Sequence, residues 1–202
     1  MNARIKLSVL LIGVGLLLAF LPFNAAKTFQ LKPDELLEIP IENYTVNVDE
    51  VARFMNSEDS TIQLIDLRSN VEFMESNIPG SINIPYTDLL NPDWEGYLNQ
   101  KERKNILYSN SDLTAALAMT TLTGLGYKNI SIMSGGMNEW YKTIMLSKFE
   151  GERITPRENI MFENRYRARR TFTEINSLPD SLKRQYLEAK RLEESQLDGG
   201  CE

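Results

Sequence analysis

The sequence predicts an α/β fold built on a mostly parallel sheet, and three observations carry that expectation. Short apolar runs suited to buried strands occur at Thr61–Ile65, Asn105–Tyr108 and Asn129–Met133. Segments with helical spacing of apolar residues separate them. Two helix-start signatures, Asn47 with Glu50 and Ser69 with Glu72, have the spacing of a capping box. There the first side chain accepts from a backbone N–H three residues on, and the second side chain returns the favour. Strand and helix in alternation is the pattern of a parallel sheet covered by helices.

Each element follows from its own residues. Tyr44–Val46 is a short strand candidate. Val48, Val51, Ala52 and Met55 then form a helical stripe behind the Asn47 cap. Thr61–Ile65 reads as a buried strand, and Ser69 opens a short helix. After the strand at Asn105–Tyr108, residues Leu113 to Leu125 read as a helix, with Gly126 as its stop, since glycine adopts the left-handed conformation that ends helices. Asn129–Met133 is the next strand and Met137–Leu146 the next helix. Ligand sites in such sheets lie beyond the C-terminal ends of the strands. That rule selects Asp66–Arg68, Ser109–Thr114 and Ser134–Gly136.

Composition excludes several chemistries. The chain has 202 residues, 42% of them hydrophobic and 25% charged, enough for one packed domain with extensions. It contains no histidine, so the Ser-His-Asp and Cys-His arrangements and the HExxH zinc motif are absent. Its one cysteine is Cys201, which excludes an internal disulfide or a cysteine-based zinc site within one chain. No metal and no cofactor are expected. Residues 27–150 carry ten Lys and Arg against eighteen Asp and Glu. Such a field repels phosphate backbones, so nucleic acid is not an expected partner.

The ends differ from the middle. Between Lys6 and Lys27 no residue is charged, and about 20 helical residues span a bilayer core. Residues 1–26 therefore read as a membrane anchor or as a cleaved signal peptide. In the first case residues 7–26 make the membrane contact. The preceding Arg4 and Lys6 place the rest of the chain outside the cytoplasm, membrane-anchored or secreted, and periplasmic in a Gram-negative bacterium. Residues 27–43 read as a linker, 44–147 as the α/β domain, and 148–202 as a helical, flexible C-terminal tail. In the tail, Glu158 to Ile175 is a helix candidate with Ile160, Met161, Tyr166 and Phe172 as its apolar contacts. Arg165, Arg167, Arg169 and Arg170 form a basic cluster, either a solvated face or one that docks on the acidic domain or an anionic membrane. A second helix starts at Leu178–Ser181, with Leu182, Tyr186, Ala189 and Leu192 on one side. This amphipathic unit packs on the domain or pairs with another copy, making an oligomer through the tail.

The middle of the chain resembles the rhodanese-like domains. Ile65-Asp66-Leu67-Arg68, Glu72-Phe73 and Asn77 to Pro85 look like that family's first signature, and Gly126 to Asn129, Gly135-Gly136 and Trp140 look like its closing one. The resemblance covers about residues 44–147. It implies a five-stranded, mainly parallel sheet flanked by helices. It also implies a cysteine after the Ile-Leu-Tyr strand, in a loop that cradles a persulfide.

Here the cysteine's position is Ser109, and the loop continues Asn110-Ser111-Asp112-Leu113-Thr114. A persulfide forms by thiolate attack on sulfur, which an alcohol without an adjacent base does not perform. The cation usual late in the loop is replaced by Thr114. Asp112 is expected to cap the following helix, and its charge opposes anionic substrates. Asp66 and Arg68 are expected to pair with each other or with backbone. Asn77, where many relatives carry histidine, is expected to bond within the Ile78–Gly80 turn. Gly135 and Gly136 make either a tight turn or an anion cradle. Trp94, Tyr97 and Trp140 are expected as core or groove aromatics.

The functional expectation is a non-catalytic rhodanese-like module that binds a protein or peptide at the mouth formed by Ser109–Thr114, Asp66, Arg68, Gly135 and Gly136. Two alternatives stand beside it. One is a sulfurtransferase or sulfur carrier acting through Cys201 or a partner's thiol. The other is a structural protein of the envelope that self-assembles through its tail.

Overall fold

The computed structural model describes residues 28–148 and 155–197. The segment 1–26, expected as an anchor or signal, and Cys201 lie outside the described residues. Among the described residues no helix is long and apolar enough to cross a membrane.

Five strands form one sheet: β1 (Thr45–Val46), β2 (Ile62–Asp66), β3 (Ile82–Asn83), β4 (Lys104–Tyr108) and β5 (Ile130–Met133). Their order is β1-β5-β4-β2-β3, and every pairing is parallel. The central pair is in register with Ile65 opposite Leu107 and Asp66 opposite Tyr108. Because side chains alternate across a strand, each face collects its own core. Ile65, Ile82, Leu107 and Ile132 share one face, and Val46, Leu64, Ile106, Tyr108 and Met133 share the other.

Eight helices surround the sheet among the described residues: α1 (Pro33–Leu37), α2 (Val48–Ser57), α3 (Asn70–Glu75), α4 (Glu95–Leu98), α5 (Asp112–Gly124), α6 (Gly136–Trp140), α7 (Pro156–Asn176) and α8 (Asp180–Leu197). Both expected capping boxes are present, at Asn47/Glu50 on α2 and Ser69/Glu72 on α3. The first sheet face is covered by α5 through Ala115, Ala118, Met119 and Leu122. The second is covered by α2, α6 and α7, with Trp140 and Ile144 fully buried.

Several boundaries move for local reasons. The last strand begins at Ile130 because Asn129 is left-handed, at φ 57°, a conformation asparagine tolerates better than most residues. The helix expected over Met137–Leu146 is α6 followed by a π-helical turn at Tyr141–Met145, where the Leu146 N–H donates to the Tyr141 carbonyl. The linker is not bare chain. The Gln30 N–H donates to the Gly124 carbonyl at 2.7 Å, so residues before α1 lie on the C-terminal end of α5.

The two tail helices pack through only part of the apolar sets expected, Phe172 on the first and Tyr186 on the second. On α7, Ile160 is 70% exposed and Tyr166 is also exposed, while Ala168 and Phe172 are buried. Phe172 meets Trp140 at 6.1 Å and Tyr141 edge-on at 5.7 Å. The basic cluster divides accordingly. Arg165 forks onto Asp49 of α2 with two bonds of 2.6 Å, and Arg169 donates to the Met145 and Ser147 carbonyls. Arg167 and Arg170 stay outside in pairs with Glu163 and Glu174. On α8, Leu182 and Leu192 are exposed, whereas Lys183 is 2% exposed. Its ammonium donates to the Met74 and Glu75 carbonyls at 2.6 and 3.2 Å, where α3 leaves carbonyls unpaired. A buried lysine with carbonyl partners is tolerated, and its stem supplies the apolar contact that the leucines do not.

Candidate functional site

The loops after β2, β4 and β5 meet at the C-terminal end of the sheet. β4 is the central strand, and Ser109 follows it directly. Ser109 is buried, and its carbonyl accepts the Met137 N–H at 2.8 Å. The Asn110 carbonyl likewise accepts the Asn138 N–H at 3.1 Å. These bonds hold the loop tightly against the start of α6. A Cβ on Gly136 would stand 2.4 Å from the Ser109 carbonyl oxygen, and Gly136 has φ +56°. Only glycine fits both the space and the dihedral angle.

Asp112 differs from its expected role. It is the first residue of α5, and the preceding Ser111 makes no side-chain cap. Instead of capping its own helix, Asp112 Oδ1 accepts the Gly135 N–H at 2.6 Å. The Gly135 N–H, in the loop after β5, is thus held by the protein's own carboxylate. Asn110 donates to Glu72 Oε1 at 2.7 Å, joining the loop to the capping box of α3. Hydrogen bonds from Ser69 and Asn110 hold the Glu72 carboxyl below the ordinary glutamate range. The Thr143 hydroxyl and the nearby Lys142 do the same for Glu139, which packs beside Gly135. Both are therefore ionised at neutral pH. With Asp112 they give the mouth an acidic rim, and Leu113, in the loop itself, is exposed. Thr114 is half-buried in the first turn of α5.

Asp66 and Arg68 are turned inward. Asp66 is fully buried and Arg68 nearly so. The Arg68 guanidinium bonds both Asp66 oxygens and the Ser76 carbonyl, and the Arg68 N–H donates to Asp66 Oδ1. The partnership with Asp66 holds the guanidinium above its usual range. Asn83 donates from its amide to the Asp66 and Arg68 carbonyls. Tyr108, fully buried under the Arg68 guanidinium, shares a hydrogen bond with Ser81 and accepts the Ile78 N–H. Burial, and then the Asp66 charge, push its phenol well above the ordinary value. This is a structural clamp on the β2 exit, not a pair of groups offered to a ligand.

Asn77 also differs from expectation. Its amide donates to the Phe73 carbonyl at the end of α3 rather than within the following turn. Its backbone is held by Asn176 of α7: the Asn77 N–H donates to Asn176 Oδ1 at 3.0 Å, and Asn176 Nδ2 donates to the Asn77 carbonyl at 2.8 Å. Sequence reasoning did not find Asn176, Lys183 or the Glu72–Asn110 tether. Only Glu72 carried a signal, and that signal described a helix cap.

Chemically, the mouth holds an alcohol without a base, a backbone donor already paired, and an acidic rim. Among the described residues no group of three or more acidic or thiol side chains is placed to hold a metal. Three cavities lie elsewhere, between the body of the domain and α8.

Comparison with known proteins agrees with this architecture. The rhodanese-like domain family profile matches residues 47–143. The adenylyltransferase and sulfurtransferase UBA4 of Lodderomyces elongisporus is 29% identical over 118 residues, which cover 51% of this chain and 24% of that protein. The thiosulfate:glutathione sulfurtransferase of Saccharomyces cerevisiae is 27% identical over 110 residues, or 50% of this chain and 78% of that one. The chain thus spans about a quarter of the first relative and most of the second. Among solved structures, the human single-domain sulfurtransferase TSTD1 aligns at 22% identity with a TM-score of 0.41, covering 50% of this chain and 96% of its own. Matching profile, signatures and five-stranded parallel sheet together identify residues 47–143 as a rhodanese-like domain.

Proposed function

We propose that this chain is a non-catalytic rhodanese-like binding module, exported or membrane-tethered through residues 1–26, that takes a cationic or peptidic ligand at the mouth of the Ser109–Thr114 loop. The observation that carries the reading is the hydrogen bond from the Gly135 N–H to Asp112 Oδ1 beside Ser109. Sulfur transfer needs a thiolate to accept the sulfur and unpaired donors to hold the anion. Here the nucleophile is a hydroxyl and the donor already serves an internal carboxylate. The ionised Glu72 and Glu139 add repulsion for thiosulfate and attraction for a basic group. Exposed Leu113 supplies apolar contact for the neighbours of that group.

Thiosulfate:cyanide transfer tests the proposal. The full chain is expected to show no transfer above the uncatalysed rate. Ser109→Cys alone is expected to gain little, because Asp112 still occupies the Gly135 donor. Adding Asp112→Gly to Ser109→Cys frees that donor, and a persulfide on residue 109 is then expected by mass spectrometry. Turnover by the unmodified chain, or a folding-dependent persulfide on Cys201, overturns the reading.

A further inference from the structure

A second site lies away from the mouth, between α3 and α8. Two arginines of α8, Arg184 and Arg191, line one cavity of about 230 Å3. They are two helical turns apart, so they stand on one face of α8. Among the described residues neither makes an ion pair with a carboxylate. Arg184 donates from Nε only to the Asp180 carbonyl at 3.3 Å, and Arg191 lies over the Trp94 ring at 4.8 Å from its centre. The other arginines of the tail helices that face carboxylates are paired: Arg165 with Asp49, Arg167 with Glu163 and Arg170 with Glu174.

The wall around the two guanidinium groups is largely apolar, formed by Phe73, Met74, Pro85, Trp94 and Leu187. Asp88 is the single acidic residue on it, and Asn70 and Asn83 complete the lining. The cavity therefore carries one positive charge in excess inside a domain whose middle segment is strongly acidic. Guanidinium groups suit planar carboxylates, which they grip through parallel N–H bonds. The volume lies below the range of about 300–1,000 Å3 usual for drug-sized ligands, which fits a small molecule. A dianion is disfavoured by Asp88, and a purely inorganic anion leaves the apolar wall unused.

We propose that the cavity between α3 and α8 binds a small monocarboxylate with an apolar body, its carboxylate held by Arg184 and Arg191 and its body resting on Trp94, Met74 and Leu187. The site uses α8, outside the matched family segment, and does not depend on the state of the Ser109 loop.

The chain has two tryptophans, and Trp140 is fully buried on the opposite sheet face beneath Phe172. A ligand that disturbs the stacking of Arg191 on Trp94 thus changes the fluorescence of one identifiable residue. Benzoate titrated into the full chain is expected to give a saturable change that Trp94→Phe abolishes. Arg184→Gln is expected to weaken it by about tenfold or more, the scale of a charge-assisted hydrogen bond, and Arg184→Gln with Arg191→Gln to remove saturation. Both arginines are exposed, and circular dichroism confirms that the variants fold. Benzamide, which keeps the body and loses the charge, and inorganic phosphate, which keeps charge and loses the body, are each expected to give no saturable change. No saturable change with benzoate, equal responses to benzoate and benzamide, equal responses to benzoate and phosphate, or an unchanged midpoint in the double variant each overturn the proposal.

Discussion

Replacing Asn176 by alanine tests whether the tail is part of the fold. The Asn176 side chain makes three hydrogen bonds, accepting the Asn77 N–H at 3.0 Å and donating to the Asn77 and Phe172 carbonyls at 2.8 and 2.9 Å. Asn77 is fully buried, and among the described residues its N–H and carbonyl have their hydrogen bonds with Asn176 alone. Alanine orphans both. A buried polar group left without a partner costs about 1–3 kcal/mol. Partial entry of water from the half-buried side reduces the sum, so the expected loss is about 2–4 kcal/mol. The assay is urea denaturation of the full chain, monitored by circular dichroism and by Trp140 fluorescence. Trp140 contacts Phe172, one turn before Asn176. The two probes are expected to move together to lower urea with the slope preserved, since native packing is otherwise unchanged. A loss below about 0.5 kcal/mol, the ordinary scatter of surface substitutions, refutes the reasoning. So does a transition of the tail alone that leaves the sheet unaffected.

Two further outcomes follow from the mouth of the sheet. Gly136→Ala introduces a Cβ into contact with the Ser109 carbonyl, at a residue with positive φ, and is expected to destabilise by about 2–4 kcal/mol from dihedral strain and overpacking combined; thermal unfolding checks the loss, and amide shifts at Ser109 and Asn110 should be the largest in the spectrum. Glu72 titrates below the ordinary glutamate range in the folded chain, so its ionised form adds stability at neutral pH, and that contribution is lost as pH falls through and below that range. Glu72→Gln is therefore expected to flatten the acid limb of the stability profile, with little pH-dependent difference from the native chain below it; an acid limb of unchanged slope contradicts the assignment.

The proposed function rests on the contrast between the clamp at the β2 exit and the loop beside it. The clamp of Asp66, Arg68, Tyr108, Ser81 and Asn83 is joined by hydrogen bonds that leave only the Asn83 Oδ1 unpaired among its described side chains and holds the strand ends in the positions the fold requires. The loop beside it carries a hydroxyl and a carboxylate where the family resemblance implies a thiol and an open cradle. Asp112 does not simply weaken an anion site. It accepts the Gly135 N–H, so in the function proposed above the change is geometric as well as electrostatic.

What was legible in advance is what neighbouring residues specify. The strands around Ile65, Leu107 and Ile132 read as short apolar runs, and the boxes at Asn47/Glu50 and Ser69/Glu72 read at a spacing of three residues. These signals are local, and the structure contains them. The tail was not legible in the same way. Its apolar residues pointed to Ile160, Met161, Tyr166 and Phe172 on one helix and Leu182, Tyr186, Ala189 and Leu192 on the other; Phe172 is buried and Tyr186 half-buried, but the rest are exposed while Lys183 is buried.

The sequence alone determined the sheet's class, the two capping-box helix starts, the absence of histidine and the serine at position 109, because each of these is a property of residue type or of spacing over a few residues. Only the tertiary structure decided that Asp112 reaches Gly135, that Asn77 is held by Asn176 and that Arg184 and Arg191 share a cavity. Those partners lie 23 residues apart in the first case and 99 in the second. A polar side chain carries no mark of whether its partner is water or a distant carbonyl until the chain has brought that carbonyl to it.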